Sequence, residues 1–208
     1  MYTIRRNYRK EIIINKSRFI CSLQKVASEQ EALDFIKATK KEFWDATHNC
    51  SAYIVNELAQ RSSDDGEPSG TAGIPMLEVL RKNQLEGTAA VVTRYFGGIK
   101  LGAGGLVRAY SGSVAGALKE CGLAEKVLMG YYSFCYDVNS VGRILNRLYQ
   151  QELFQVYDVE YDLRAKVVLC LEARNKAAVE AWLTEALNQE LQLELEFNEY
   201  AEINVISE

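Results

Sequence analysis

The sequence of 208 residues is poor in the side chains that build metal sites and nucleophilic centres. It contains one histidine, His48, so a site with two or more histidine ligands, such as the HExxH zinc motif, is excluded. None of its five cysteines forms a CxxC pair, which excludes zinc-ribbon and thioredoxin-type motifs. We therefore expect free thiols, no metal, no cofactor and no disulfide-linked partner.

Long hydrophobic runs are also missing. No apolar stretch approaches the ~20 residues that a membrane helix needs, and the first residues lack the apolar core of a signal peptide. Apolar residues make up 48% of the chain and charged residues 25%, which is ordinary for a folded globular protein. These features predict a cytoplasmic protein with no membrane partner.

Glycine, proline and charge are unevenly distributed along the chain. Both prolines and all but one of the 14 glycines lie before residue 131. Residues 1–130 carry 18 Lys+Arg against 14 Asp+Glu, whereas residues 131–208 carry 6 against 14. This contrast predicts two domains, residues 1–128 and 129–208, with a linker expected between Lys126 and Tyr132.

The acidic second half alternates strand and helix patterns in a regular order. Strands are predicted at Tyr131–Val138, Leu153–Glu160, Leu163–Leu171 and Leu191–Phe197, and helices after the capping residues Ser140 and Asn175. The order β-α-β-β-α-β is that of the ferredoxin-like fold. The carboxylate-rich outer face of the last strand is expected to be solvated.

The basic first half also mixes helices and strands, but less regularly. A hairpin is predicted between Glu11 and Val26, a helix at the capping box Ser28–Glu31, a strand at His48–Asn56, a buried strand at Thr88–Tyr95 and a long helix that ends near Cys121. On this last helix, Val107, Tyr110 and Val114 are expected to face the core. The first half therefore predicts an α/β arrangement.

His48 and Cys50 are two residues apart on a predicted strand, so their side chains point the same way. A base and a nucleophile could pair in this manner. The surrounding segment has the composition of a structural strand, however, and we favour a structural role for both residues.

The first candidate functional segment is the acidic loop, Ser63–Pro75. Its candidate side chains are Asp64, Asp65, Glu67, Ser69 and Thr71. Carboxylates this close together can bind a divalent cation or act as acid and base. No histidine or second acidic cluster completes a known site, and surface turns often have this composition, so a structural role stays open.

The second candidate is the glycine-rich loop, Arg94–Arg108, between a predicted strand and a predicted helix. Phosphate-binding loops occupy this position. The P-loop motif fails because Ala103 and Gly104 stand where Lys and Ser/Thr are required, and the GxGxxG motif fails at Val107.

Although both motifs fail, the loop still has flexible backbone N–H groups, a helix N-terminus and three cations. These groups could bind an anion or a nucleic-acid backbone. The candidate binding residues are Arg94, Tyr95, Gly97, Gly98, Lys100, Gly102, Gly104, Gly105 and Arg108. The alternative is a structural crossover in which the glycines allow a tight turn. Phe96 is expected in the core.

Two motifs in this order resemble the IMPACT/YigZ family: Asp65–Pro75 (DGEPSGTAGIP) and Val92–Tyr110 (VTRYFGGIKLGAGGLVRAY). The resemblance implies a two-layer α/β N-terminal domain similar to domain IV of elongation factor G and a ferredoxin-like C-terminal domain. Eukaryotic relatives regulate translation by binding a partner protein and so restraining a stress-activated kinase. Binding of RNA or of the ribosome is inferred for the family from its fold, which is an analogy.

The favoured hypothesis is a non-enzymatic, translation-linked regulator that binds RNA, the ribosome or a protein partner through its basic domain. The alternative is an enzyme or sensor that acts on a small phosphorylated ligand, which requires both loops to meet in one concave pocket. A third hypothesis is a protein-interaction module that uses the acidic C-terminal domain.

Overall fold

The computed structural model describes residues 1–204 and has the predicted α+β composition. Its elements are β1 (Tyr2–Ile4), β2 (Tyr8–Ile14), β3 (Ser17–Lys25), α1 (Glu29–Glu42), β4 (His48–Ile54), β5 (Gln60–Ser63), α2 (Gly73–Lys82), β6 (Thr88–Tyr95), α3 (Gly102–Cys121), β7 (Leu123–Tyr136), α4 (Val141–Tyr149), β8 (Gln155–Tyr161), β9 (Ala165–Glu172), α5 (Lys176–Leu187) and β10 (Glu194–Asn204). Contacts divide the described residues into an N-terminal unit, Met1–Glu125 together with Ile203 and Asn204, and a C-terminal unit, Lys126–Glu202. Within residues 1–204, no helix is long and apolar enough to cross a membrane.

The N-terminal unit is built on an antiparallel sheet with the strand order β2-β3-β6-β4-β5. Helices α2 and α3 cover one face and form the main core with residues such as Phe19, Val92 and Tyr110. Helix α1 packs a smaller cluster, which includes Ala32 and Tyr53, on the other face. Strand β6 is buried on both faces, which explains its continuous run of small and β-branched residues.

The predicted capping box starts α1. The hydroxyl of Ser28 accepts a hydrogen bond from the backbone N–H of Glu31 at 3.2 Å. The carboxylate of Glu31 reaches back to the N–H of Ala27 at 2.9 Å. These local bonds satisfy donors that a helix end leaves unpaired, so the start of α1 follows from the sequence.

In the C-terminal unit, the strand order β10-β7-β9-β8 confirms the ferredoxin-like prediction. Side chains of α4 and α5, such as Leu148 and Leu183, pack against the inward residues Tyr132 and Phe134 of β7. Strand β7 pairs with both β9 and β10.

The boundary between the two units falls at Lys126, the first residue of the predicted linker. Lys126–Tyr132 has strand conformation as part of β7, whose first residues pair with β1 at Tyr2–Ile4. One local expectation is wrong. Val107 is exposed, because its neighbour Leu106 occupies the buried stripe of α3.

Candidate functional site

The acidic loop and the glycine-rich loop line one cleft of about 470 Å³ in the N-terminal unit. The acidic loop contributes Glu67 and Pro68, and the glycine-rich loop contributes Arg94, Phe96 and Lys100 together with the start of α3. The sheet causes this convergence. Strands β4 and β6 are neighbours, and their register places His48 opposite Arg94 at the edge of the cleft.

Asp64 holds the acidic loop in its folded shape. Its carboxylate accepts hydrogen bonds from the backbone N–H groups of Gly70 at 2.8 Å, Ala72 at 3.0 Å and Gly73 at 2.8 Å. Burial acts to raise the pKa of Asp64, but these backbone donors outweigh it and keep the pKa below its usual value. Asp64 therefore anchors the loop at the first residue of α2.

Asp65 is also an anchor. Its carboxylate accepts hydrogen bonds from the backbone N–H of Asn49 and from the Lys40 ammonium, each at 2.6 Å. Its backbone carbonyl lies 2.9 Å from Nδ1 of His48. Because a carbonyl only accepts, Nδ1 carries the proton, which leaves Nε2 of a neutral His48 as an acceptor.

The other three predicted residues of the acidic loop have different surroundings. The hydroxyl of Thr71 is buried and donates to the carbonyl of Pro68 at 2.6 Å. Ser69 is exposed and does not line the cleft. Glu67 is the candidate side chain of this loop that lines the cleft.

Glu67 is the centre of a buried polar cluster. One of its carboxylate oxygens, Oε1, accepts from Nη1 of Arg94 at 2.6 Å and from the hydroxyl of Tyr110 at 2.7 Å. The other oxygen, Oε2, lies 3.8 Å from Nε2 of His48. The sequence singled out Glu67 and Arg94 but not Tyr110, since a tyrosine on a helix gives no signal of a partner 43 residues away.

Cys50 does not form a nucleophilic pair with His48. Its buried thiol donates instead to the backbone carbonyl of Asp64 at 2.9 Å. Burial raises the pKa of the Cys50 thiol to about 12, so the thiolate that a nucleophile requires is not formed at neutral pH. The structural interpretation of Cys50 therefore holds.

Arg94 is almost fully buried at the base of the cleft, with 5% of its surface exposed. Its guanidinium carbon lies 5.4 Å from the ring centre of Phe19 and 5.5 Å from that of Phe96. Its Nε is buried and has no hydrogen-bond partner within residues 1–204. A buried donor without an acceptor is uncommon in a folded protein.

Phe96 is not in the core, as the sequence had suggested, but is 47% exposed and lines the cleft. It follows the last residue of β6, so the alternation of the strand no longer determines its direction. Its backbone N–H is held by the hydroxyl of Thr47 at 3.0 Å.

Gly97 has a structural reason to be glycine. A Cβ atom at this position would lie 2.0 Å from the carbonyl carbon of Lys16, so the loop packs directly on the turn between β2 and β3. Gly98 and Gly102 have positive φ angles, 84° and 69°, which L side chains rarely adopt. Gly104 and Gly105 lie in the first turn of α3.

Of the binding residues predicted in the glycine-rich loop, Arg94, Lys100 and Gly102 line the cleft. Gly97, Gly98, Gly104 and Gly105 are not among its lining residues, and the side chains of Tyr95 and Arg108 lie elsewhere. Tyr95 points to the opposite face of the sheet from Arg94, where its hydroxyl donates to Asp45 at 2.8 Å. Arg108 is exposed and lines a separate concavity with Lys82 and Asn83. The cleft therefore combines Arg94 and Lys100 but excludes Arg108.

Metal ligation is not supported by the side-chain arrangement. In the part of the chain that the structure describes, no three His, Cys, Asp or Glu side chains are grouped as metal ligands. The charge of Glu67 is instead balanced by Arg94. The cleft is lined by the buried Arg94, the exposed Lys100 and the N-terminus of α3. This combination of groups is suited to an anionic ligand.

These features define an α+β protein whose N-terminal unit carries a cleft lined by both loops and whose C-terminal unit is ferredoxin-like. A family model described as the Impact N-terminal domain matches residues 15–118, which include both loops. IMPACT family member YvyE of Bacillus subtilis is 48% identical over 189 residues, which cover 90% of this chain and 87% of that protein. The chain therefore belongs to the IMPACT family.

Two further comparisons agree with this assignment. IMPACT family member YigZ of Escherichia coli is 37% identical over 152 residues, which cover 66% of this chain and 74% of that protein. A crystal structure described as that of a hypothetical protein is 32% identical, with a TM-score of 0.59. The match covers 92% of this chain and 95% of the solved one, so it includes both units.

Proposed function

We propose that this protein is a non-enzymatic, cytoplasmic regulator linked to translation, which binds RNA or the ribosome through the cleft of its N-terminal unit. Membership of the IMPACT family supports the link to translation, since the family resemblance implies such regulation. The observation that carries the binding role is the meeting of Arg94, Lys100 and the start of α3 in one cleft.

The charges at the cleft favour a phosphate. Glu67 balances Arg94, so the uncompensated positive charge comes from Lys100 and from the N-terminus of α3. The exposed ring of Phe96 adds a surface on which a base can stack. This combination of cation, backbone donors and aromatic ring is typical of single-stranded RNA binding.

Binding of a single-stranded oligoribonucleotide across a salt series tests the proposal. Affinity is expected to fall steeply with rising salt, and Lys100→Ala should weaken binding and reduce the salt slope by about 0.7. Arg108→Ala is the matched control, because Arg108 is an exposed cation on α3, eight residues further along the chain, that does not line the cleft. Absence of binding at low salt, or equal losses in the two variants, would contradict the proposal.

A sensor of a small phosphorylated ligand is the second candidate function. This candidate requires the two loops to meet in one concavity, and the shared cleft favours it. An enzyme is less well supported, because Asp64 and Asp65 serve as anchors and Cys50 stays protonated. A sensor should bind a nucleotide but no oligoribonucleotide, so titration with each ligand in turn separates the sensor from the RNA-binding protein.

A protein partner is the remaining proposal, and it concerns the acidic C-terminal unit. Removal of residues 129–208 should abolish capture of such a partner while RNA binding survives. Loss of both activities in a truncated chain that still folds would place RNA binding outside the cleft.

A further inference from the structure

We infer that the cleft recognises the terminal phosphate of a nucleotide, a phosphomonoester, rather than the phosphodiesters inside an RNA chain. This inference rests on the anion-binding role proposed for the cleft and narrows it to one chemical group. The group could be presented by a free nucleoside 5′-monophosphate or by the 5′ end of an RNA.

The first observation is the unsatisfied guanidinium of Arg94. An arginine side chain has five N–H donors, yet among the described residues this guanidinium makes one hydrogen bond, from Nη1 to Glu67. Nε is buried with no acceptor, although Arg94 is one of the residues that line the cleft. The terminal nitrogens also carry N–H groups without an acceptor among the described residues, and a ligand with several acceptor oxygens on one atom could accept from these.

The second observation is independent and concerns the start of α3. This helix of 20 residues begins at Gly102, and its capping position, Leu101, provides no side-chain hydrogen bond. The first turn also contains no acidic residue. The first N–H groups of α3 therefore have no side-chain acceptor, and they belong to a segment that lines the cleft beside Lys100.

Charge balance favours a phosphomonoester. Lys100 and the helix N-terminus together supply about 1.5 positive charges, since the dipole contributes roughly half a charge. A phosphomonoester carries about −1.5 to −2 charges at pH 7, whereas an internal phosphodiester carries one. The monoester therefore matches the uncompensated charge of the cleft more closely.

The dimensions of the cleft support the same choice. Its volume of about 470 Å³ is in the range of small-molecule sites, about 300–1,000 Å³. Pro68, Phe96, Leu101 and Leu106 form an apolar wall that can accommodate a sugar and a stacked base. An internal phosphodiester must continue in two directions, whereas a terminal phosphate can enter with its nucleotide and leave one exit for the chain.

The test compares three probes on the full-length protein by calorimetry or fluorescence anisotropy. They are a 5′-phosphorylated oligoribonucleotide, the same oligomer with a 5′-hydroxyl, and a nucleoside 5′-monophosphate. We expect the phosphorylated oligomer to bind about tenfold or more tightly than the hydroxyl form, the effect of one charge-assisted hydrogen bond or more.

The outcomes separate this inference from the proposed function. Equal affinity for the two oligomers would overturn the inference and leave RNA binding intact. Binding of the monophosphate but of neither oligomer would support the terminal-phosphate site and overturn RNA binding. Binding of none of the three probes would overturn both.

Ala103→Asp is the most specific variant, because it places a negative charge in the first turn of α3 inside the cleft. A carboxylate at a helix start stabilises the helix, so the variant should fold while the preference for the 5′-phosphate is lost. Ala115→Asp is the matched control, since this exposed residue lies on the same helix outside the cleft. An unchanged preference in Ala103→Asp, or equal losses in both variants, would overturn the inference.

Discussion

The carboxylate of Glu67 and the guanidinium of Arg94 form an ion pair with an N···O distance of 2.6 Å, although 27 residues separate them in the chain. Both side chains are buried, with 3% and 6% of their surfaces exposed. Glu67 belongs to the acidic loop and Arg94 to the end of β6. Their pairing therefore joins the two loops that line the cleft.

Removal of the Glu67 charge should destabilise the fold strongly. Glu67→Gln preserves the shape of the side chain but leaves the buried charge of Arg94 without compensation, which costs about 3–5 kcal/mol. Urea denaturation followed by circular dichroism measures this loss. Glu78→Gln is the control, because its exposed pair with Arg81 should contribute about 1 kcal/mol or less. Similar small losses of stability in both variants would contradict the role of Glu67 as the counter-charge of the buried Arg94.

The anchoring role of Asp64 predicts a dependence of stability on acid. Because its pKa lies below the usual value, its contribution is present above about pH 4 and is lost as the pH falls through the folded-state pKa. Asp64→Asn should lower stability at pH 7 by about 1–2 kcal/mol, since the amide turns a donor toward backbone N–H groups. Melting temperatures of the wild type and of Asp64→Asn, measured between pH 2.5 and 7, should differ less as the pH falls. A difference that stays constant over this range would contradict stabilisation by the Asp64 carboxylate.

Gly97 and Gly112 should respond to alanine in opposite ways. At Gly97 the added Cβ would lie 2.0 Å from the carbonyl carbon of Lys16, and overpacking of this kind costs about 1–3 kcal/mol. At Gly112, inside α3, an added Cβ meets no atom within 4 Å, so the gain in helix propensity should stabilise by about 0.5–1 kcal/mol. Thermal denaturation measures the change in stability of each alanine variant relative to the wild type. Equal effects would mean that the loop does not pack on the β2–β3 turn.

We also propose that the two compact units are independently folding domains, with the boundary predicted at residue 128. The main core of the N-terminal unit is built from residues 4–121 and that of the C-terminal unit from residues 132–193. A fragment of residues 1–128 should unfold cooperatively and retain the cleft. A fragment of residues 1–118 should be less stable, because it lacks the residues of β7 that pair with β1. A fragment 1–128 without a cooperative transition would contradict the proposed boundary.

Local patterns in the sequence predicted the elements well where the cause is itself local. The Ser28 capping box satisfies helix donors within four residues, and the alternation of strand and helix patterns predicted the ferredoxin-like order. Side-chain direction was less predictable at the ends of elements. Phe96 lies just past β6 and Val107 lies beside the buried stripe of α3, so neither is placed by the periodicity.

The amino-acid sequence by itself determined the contrast between a glycine-rich, basic half and an acidic half, and it pointed to both loops. Only the tertiary structure decided which of their charges meet. Antiparallel pairing of β4 with β6 sets His48 opposite Arg94, and the loop anchored by Asp64 brings Glu67 to the same place. Arg108 is separated from them because helical geometry turns it to another side of α3. Spacing along the chain carries no information on such contacts, since they depend on sheet register and on packing between distant segments.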